Sequence, residues 1–182
     1  ALASGVFQAA NLMHVHHAYV SALEAKGKLD RALEFLPTDR QFRERMQSGR
    51  GLTSPELAVL LAYTKNTIHA QLVGSTLTDD PYLRNALHAY FPGALRERYP
   101  DRIDEHPLRR EIVTTRVVND LVNVAGTTFA YRLGMETGGT IDDLARAHTV
   151  ASVVFGVPEL MADVAALDNV VADEVQSQML HE

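Results

Sequence analysis

Gly51-Leu52-Thr53-Ser54-Pro55-Glu56-Leu57-Ala58-Val59-Leu60-Leu61-Ala62-Tyr63 is the stretch on which the reading of the fold turns. Thr53 with Glu56 three residues later is a capping box, the pair of side chains that satisfies free N–H groups at a helix start. Pro55 falls in the first turn, where its missing N–H costs nothing. The run Leu57 to Tyr63 is apolar on every side, which predicts a central, deeply buried helix reaching about Val73, with at least one of Leu60 and Leu61 fully buried. At seven residues, that run is far too short to cross a bilayer.

The punctuation on either side is helical as well. Upstream, Val6 to Lys26 has apolar residues at helical spacing and ends at Gly27. Thr38 with Gln41 caps a short charged helix that stops near Gly49. Downstream, Asp80 and Pro81 open a helix to Phe91, which Pro92 ends. A turn around Ala94 to Tyr99 leads to Pro107 and one long helix over about 108–137, closed by Gly138-Gly139. Thr140 with Asp143 caps a helix to about Phe155, Pro158 begins another, and the last starts near Ala172. No stretch shows clean period-2 alternation between turn signals. The expected fold is all-α: an irregular bundle of seven or eight helices. It reads as a single helical domain over 1–182, with 1–28 a helical extension and 29–182 the main bundle.

Composition narrows the chemistry. The 182 residues include no cysteine, which removes disulfides, thiolate catalysis and zinc–sulfur sites and suits a reducing cytoplasm. The chain opens on alanine without a basic leader and reads as a fragment of a longer, cytoplasmic protein. Net charge is −6, and the arginine groups at 40–45 and 96–102 are interleaved with acids. That gives nucleic acid no one-sign patch to bind, and no segment addresses a membrane. None of the eight histidines has an Asp or Glu three or four residues away, the spacing helical metal sites use. His14 and His17 could share a face, with His16 turned away, and are read as ordinary surface or partly buried histidines. Gly49-Arg50-Gly51 lies between two helices and lacks the third glycine of a dinucleotide turn. Asp79-Asp80 and Asp142-Asp143 sit at helix starts, where they cap and complement the dipole. No catalytic, cofactor-binding or metal-ligating residue is nominated.

One pattern in the 108–137 segment stands apart. At 100° per residue, Arg116, Asp120, Asn123 and Thr127 fall within about 60° of one another, with Asn119 flanking. Val118, Leu121, Val122, Ala125 and Phe129 cover the opposite side. Solvent faces usually carry Glu, Lys or Gln, and asparagine is a poor helix former. The stripe is therefore read as a hydrogen-bonded network bordering an interdomain surface; an ordinary wet face is the plain alternative.

Several stretches together resemble a known family. Leu29-Asp30-Arg31-Ala32-Leu33-Glu34-Phe35-Leu36-Pro37, then 51–63 with Lys65, Asp79-Asp80-Pro81-Tyr82-Leu83, Tyr90-Phe91-Pro92 and Leu108-Arg109-Arg110-Glu111-Ile112 occur in matching order. So do Arg116, Asn119, Asp120, Val122, Asn123 and Gly126, then Glu136-Thr137-Gly138 and Ala166-Leu167-Asp168-Asn169. Over about residues 12–182 the chain resembles the C-terminal helical region of the large bacterial NAD-specific glutamate dehydrogenases. The resemblance implies a parent that converts L-glutamate and NAD to 2-oxoglutarate, ammonia and NADH, with its nucleotide fold and catalytic lysines upstream. It implies no cofactor in this fragment, NAD in the parent, the remainder of the parent chain as partner, and room for a homo-oligomer. The expected role is structural, assembly or regulatory; the alternative is a self-standing helical protein- or ligand-binding module with no enzymatic role.

Overall fold

The computed structural model describes residues 9–179, and among them there is no β-strand. Among the described residues eleven α-helices run in order: α1 Met13–Ala25, α2 Asp39–Gln47, α3 Ser54–Leu72, α4 Arg84–Tyr90, α5 Gly93–Arg98, α6 Pro100–Asp104, α7 Arg109–Ala125, α8 Phe129–Thr137, α9 Ile141–Val154, α10 Val157–Ala166 and α11 Asp173–Met179. Two 3₁₀ turns, Thr76–Asp79 and Pro81–Leu83, sit between α3 and α4. The all-α expectation holds. The part of the opening helix expected over Val6 to Gln8 lies outside the described residues.

The three capping boxes close as their sequences require. The Gln41 amide oxygen takes the Thr38 N–H at 2.8 Å, Glu56 takes the Thr53 N–H at 2.7 Å, and Asp143 takes the Thr140 N–H at 3.1 Å. Pro55 and Pro158 stand in the first turns of α3 and α10, where the backbone N–H has no helical acceptor to lose.

At 19 residues, α3 is roughly 28 Å long, and it belongs to two cores. Its first half gives Leu57 and Leu60 to a cluster built with Met13, Val20 and Leu23 of α1, Phe42 of α2, and Leu29, Leu36 and Leu52 of the connections. Its second half gives Ile68 and Leu72 to a cluster built with Leu87, Ile103 and the α7 residues Val113, Val117, Val118, Leu121 and Val122. Leu60 is fully buried, as the sequence predicts for one of the leucine pair. Leu61 is half-buried and packs on the second core, while Val59 and Tyr63 pack on the first. The run is apolar around its circumference because one helix serves two clusters, and only Ala58 and Ala62 are left to solvent.

The connection after α3 carries its own polar fastening. Arg110 of α7 donates from Nε to the Val73 carbonyl at 3.2 Å, from Nη2 to the Ser75 carbonyl at 2.8 Å, and pairs with Asp79. Arg146 of α9 donates to Asp80 and Asp142, both at 2.8 Å, and to the Thr76 hydroxyl at 3.1 Å. Two planar guanidinium groups thereby satisfy carbonyls and carboxylates that a non-helical segment would otherwise leave to water.

The helix number exceeds the expected seven or eight for two local reasons. The turn expected around Ala94 to Tyr99 is a short helix, α5, and a second, α6, follows it from Pro100. The long helix expected over 108–137 is interrupted at Gly126, which sits at φ 93, ψ 164. That backbone conformation is essentially confined to glycine, and the chain re-enters a helix only at Phe129.

Candidate functional site

The nominated stripe lies on α7 and in the break that follows it. Its strongest contact comes from α3, which packs alongside. Lys65 Nζ donates to Asn119 Oδ1 at 2.7 Å and to Asn123 Oδ1 at 3.0 Å. Asn119 and Asn123 are four apart on α7, so their carboxamides project from one face and offer two carbonyl oxygens to a single ammonium. Asn119 and Lys65 are half-buried and Asn123 is exposed. The acceptors are neutral, and no carboxylate among the described residues lies within ion-pair distance of Lys65. The ammonium is solvated by amides but not charge-compensated.

The other nominees divide around this contact. Arg116 is exposed and makes no hydrogen bond or ion pair among the described residues. Asp120 acts from the opposite flank: burial lowers the pKa of His148 on α9, and the Asp120 charge works against that shift. Thr127 lies beyond Gly126, so the 100° periodicity that placed it on the stripe does not carry across the break; it is half-buried in the turn. The structure thus brings Asn119 and Asn123 together through Lys65 and leaves Arg116, Asp120 and Thr127 outside that contact. Lys65 is the member that helical periodicity along 108–137 could not supply, because it comes from another helix. The signal available was that it is the only formally charged side chain in the stretch 57–72.

Several of the remaining titratable groups are paired within the chain. Arg31, buried, donates to Glu24 and Asp39 at 2.6 Å each, and Asp39 also bonds His17 at 2.8 Å. Arg45 forks onto Glu56 at 2.6 and 2.9 Å, and His88 meets Asp104 at 2.7 Å. His14 is exposed, His17 half-buried and His16 buried, so the three adjacent histidines do not converge. Among the described residues no group of three or more His, Asp and Glu side chains is placed to hold a metal ion.

The Gly49-Arg50-Gly51 turn does not fit a dinucleotide. A Cβ on Gly51 would fall 2.4 Å from the Ala9 side chain and 2.5 Å from its backbone. The space that a phosphate-binding glycine keeps open is taken by the chain's own backbone. No single helix among the described residues is long and apolar enough to cross a membrane.

Helix packed on helix, with a polar face on α7 and no strand among the described residues, defines an all-helical module. Residues 49–182 match the family model for the C-terminal region of glutamate dehydrogenase. The chain belongs to that family. It is 44% identical over 162 residues to the NAD-specific glutamate dehydrogenase of Halomonas elongata, covering 89% of this chain and 10% of the relative. It is 42% identical to the enzyme of the same name from Pseudomonas aeruginosa, over 88% of this chain and 10% of the relative. The Mycobacterium tuberculosis relative is 42% identical over 82% of this chain and 9% of its own length. The chain therefore spans about a tenth of the length of these relatives. No solved structure matches it significantly.

Proposed function

We propose that this chain is the C-terminal helical region of a large NAD-dependent glutamate dehydrogenase, and that it serves the parent as a packing and assembly element. The parent oxidises L-glutamate to 2-oxoglutarate and ammonia while reducing NAD, with cofactor and catalytic side chains supplied by the remainder of the chain. The observation that carries this reading is the charge state of the α7 face. Arg31, Arg45, Arg110 and Arg146 all meet carboxylates inside the chain. Exposed cations such as Lys26, Lys28 and Arg109 also lack one, but Lys65 is half-buried against α7 without a carboxylate among the described residues, and the exposed Arg116 stands near it on the polar face that also carries Asp120. Surplus cations beside neutral amides suit a surface that meets acidic or carbonyl groups from another part of the parent.

The test uses Arg116→Glu and Asn123→Glu in parallel. In the 182-residue chain, Arg116→Glu should be nearly neutral because the side chain is exposed and unpaired. Asn123→Glu should be neutral or slightly stabilising, by up to about 0.5 kcal/mol, because the new carboxylate can pair with Lys65 and glutamate is the better helix former. In the intact parent both changes should weaken assembly or lower glutamate oxidation. Parents that assemble and turn over like wild type with both substitutions would reduce the stripe to a wet face.

A further inference from the structure

The connection between α1 and α2 is short, irregular and fastened at almost every residue. Asp30 Oδ1 accepts the Ala32 and Leu33 N–H groups at 2.9 and 3.1 Å. The Leu36 N–H returns to the Arg31 carbonyl at 3.0 Å. The buried Arg31 guanidinium holds Glu24, Asp39, the Ser21 hydroxyl and the Pro37 carbonyl at 2.6, 2.6, 3.2 and 3.3 Å. Glu34 accepts the Tyr63 hydroxyl at 2.7 Å, and Leu29 and Leu36 are buried in the first core.

Two side chains are left out of this scheme, and both are large and apolar. Leu33 is 71% exposed and Phe35 is 90% exposed. Phe35 also stands at φ 54, the left-handed region that disfavours a bulky side chain. An aromatic ring that buries almost nothing here stabilises this chain little, yet its backbone conformation costs energy. Glycine would suit the position better for the chain alone. A rigid turn that spends strain on presenting an unburied phenylalanine is shaped to insert that ring elsewhere.

We infer that the Leu33–Phe35 tip is a docking knob that enters an apolar pocket in the remainder of the parent chain. This rests on the proposed reading of the chain as one part of a larger enzyme. The occupant follows from size. Two side chains fall far short of the roughly 800 Å² per partner that a stable interface between separate proteins needs. A covalently continuous partner faces an effective concentration on the order of millimolar, so a small contact suffices. The relatives, of which this chain spans about a tenth, have ample chain elsewhere to form such a pocket. A free partner or a second copy lacks that advantage.

Hydroxyl-radical footprinting read by mass spectrometry tests the inference on the intact parent and on the 182-residue chain. Phe35 and Leu33 should oxidise several-fold more slowly in the intact parent. Equal rates overturn the inference. If Phe35 stays reactive while Arg116 peptides or the exposed Phe155 become protected, the knob falls and the packing reading stands; if none is protected, both fall. Phe35→Gly supplies the second measurement. The unfolding midpoint of the 182-residue chain should be no lower than wild type, since glycine adopts φ 54 freely, while the intact parent should melt at a lower temperature. An intact parent whose midpoint is unmoved by Phe35→Gly also overturns the inference.

Discussion

His16 makes the acid stability of this chain a sharp test of how its first core is built. The ring sits in α1 at 2% exposure, and its Nδ1 has no hydrogen-bond partner. Burial lowers its pKa from 6.5 to about 4, and the nearby His14 pushes in the same direction with a smaller effect. The neutral ring is thus the form that folding selects. As pH falls, the unfolded chain takes up a proton through 6.5 while the folded chain resists until about 4. Stability from this residue is therefore complete above about pH 6.5 and is lost progressively as pH falls toward 4. The shift is worth about 3 kcal/mol once pH is below both values, and about 2 kcal/mol at pH 5.

Replacing His16 by leucine removes the titration and roughly conserves volume. At about pH 7.5 the variant should be as stable as wild type or more so, because a buried unpaired polar atom costs about 1–3 kcal/mol. Urea unfolding at about pH 7.5 and again at about pH 5 measures the difference of interest. Carboxylates titrate alike in both proteins, so subtracting the two losses isolates His16. Wild type should lose about 2 kcal/mol more than His16→Leu over that interval, and His16→Gln, which does not titrate, should follow the leucine variant. If wild type and His16→Leu lose stability in parallel, the ring is hydrated or paired in the folded state, and its assigned place in the core is wrong.

Two further substitutions probe the scaffold. Leu60→Ala removes a side chain at 0% exposure and should cost about 2–5 kcal/mol through lost transfer energy and the cavity left behind. Differential scanning calorimetry should show its midpoint lowered well beyond that of Leu61→Ala, whose side chain is only half-buried; equal shifts would contradict the placement of α3. Gly126→Ala forces a Cβ onto a backbone at φ 93, ψ 164 and should cost about 1–3 kcal/mol. Nothing lies within 4 Å of that Cβ, so the cost is conformational; a gain in helicity without loss of stability would mean that α7 and α8 fuse readily.

Much of this architecture is legible in the sequence because its signals are local. A threonine and a glutamine, glutamate or aspartate three residues apart fix a helix start from four consecutive residues, and the boxes at Thr38, Thr53 and Thr140 all close in the structure. Gly27, Gly49 and Gly138 end helices at positive φ for the same local reason. What escapes such a reading depends on tertiary choice. Gly126 sits inside an unbroken 3.6-residue pattern, and periodicity cannot distinguish a tolerated glycine from one held at a glycine-only angle. Val118, Leu121 and Val122 before it and Phe129 after it all join the second core, so both flanks look like one helix although the chain turns between them.

The α7 face shows the same division between local and non-local information. Asparagines four apart announce a pair of carboxamides looking for a partner, and that much is one-dimensional. Which partner they find is decided by how α3 crosses α7, and the amphipathic pattern of α7 is satisfied by any apolar helix laid against it. Only the crossing places the lone lysine of 57–72 over Asn119 and Asn123. Once placed, Lys65 constrains the register of the two helices. Sliding one past the other by a turn, about 5.4 Å, would leave the ammonium one of its two asparagines, with Thr115 or Thr127 standing where the other had been. Hydrophobic burial thus drives α3 onto α7, and a single charged hydrogen-bonding group, silent in the periodicity of either helix, favours the alignment in which both carboxamides reach one ammonium.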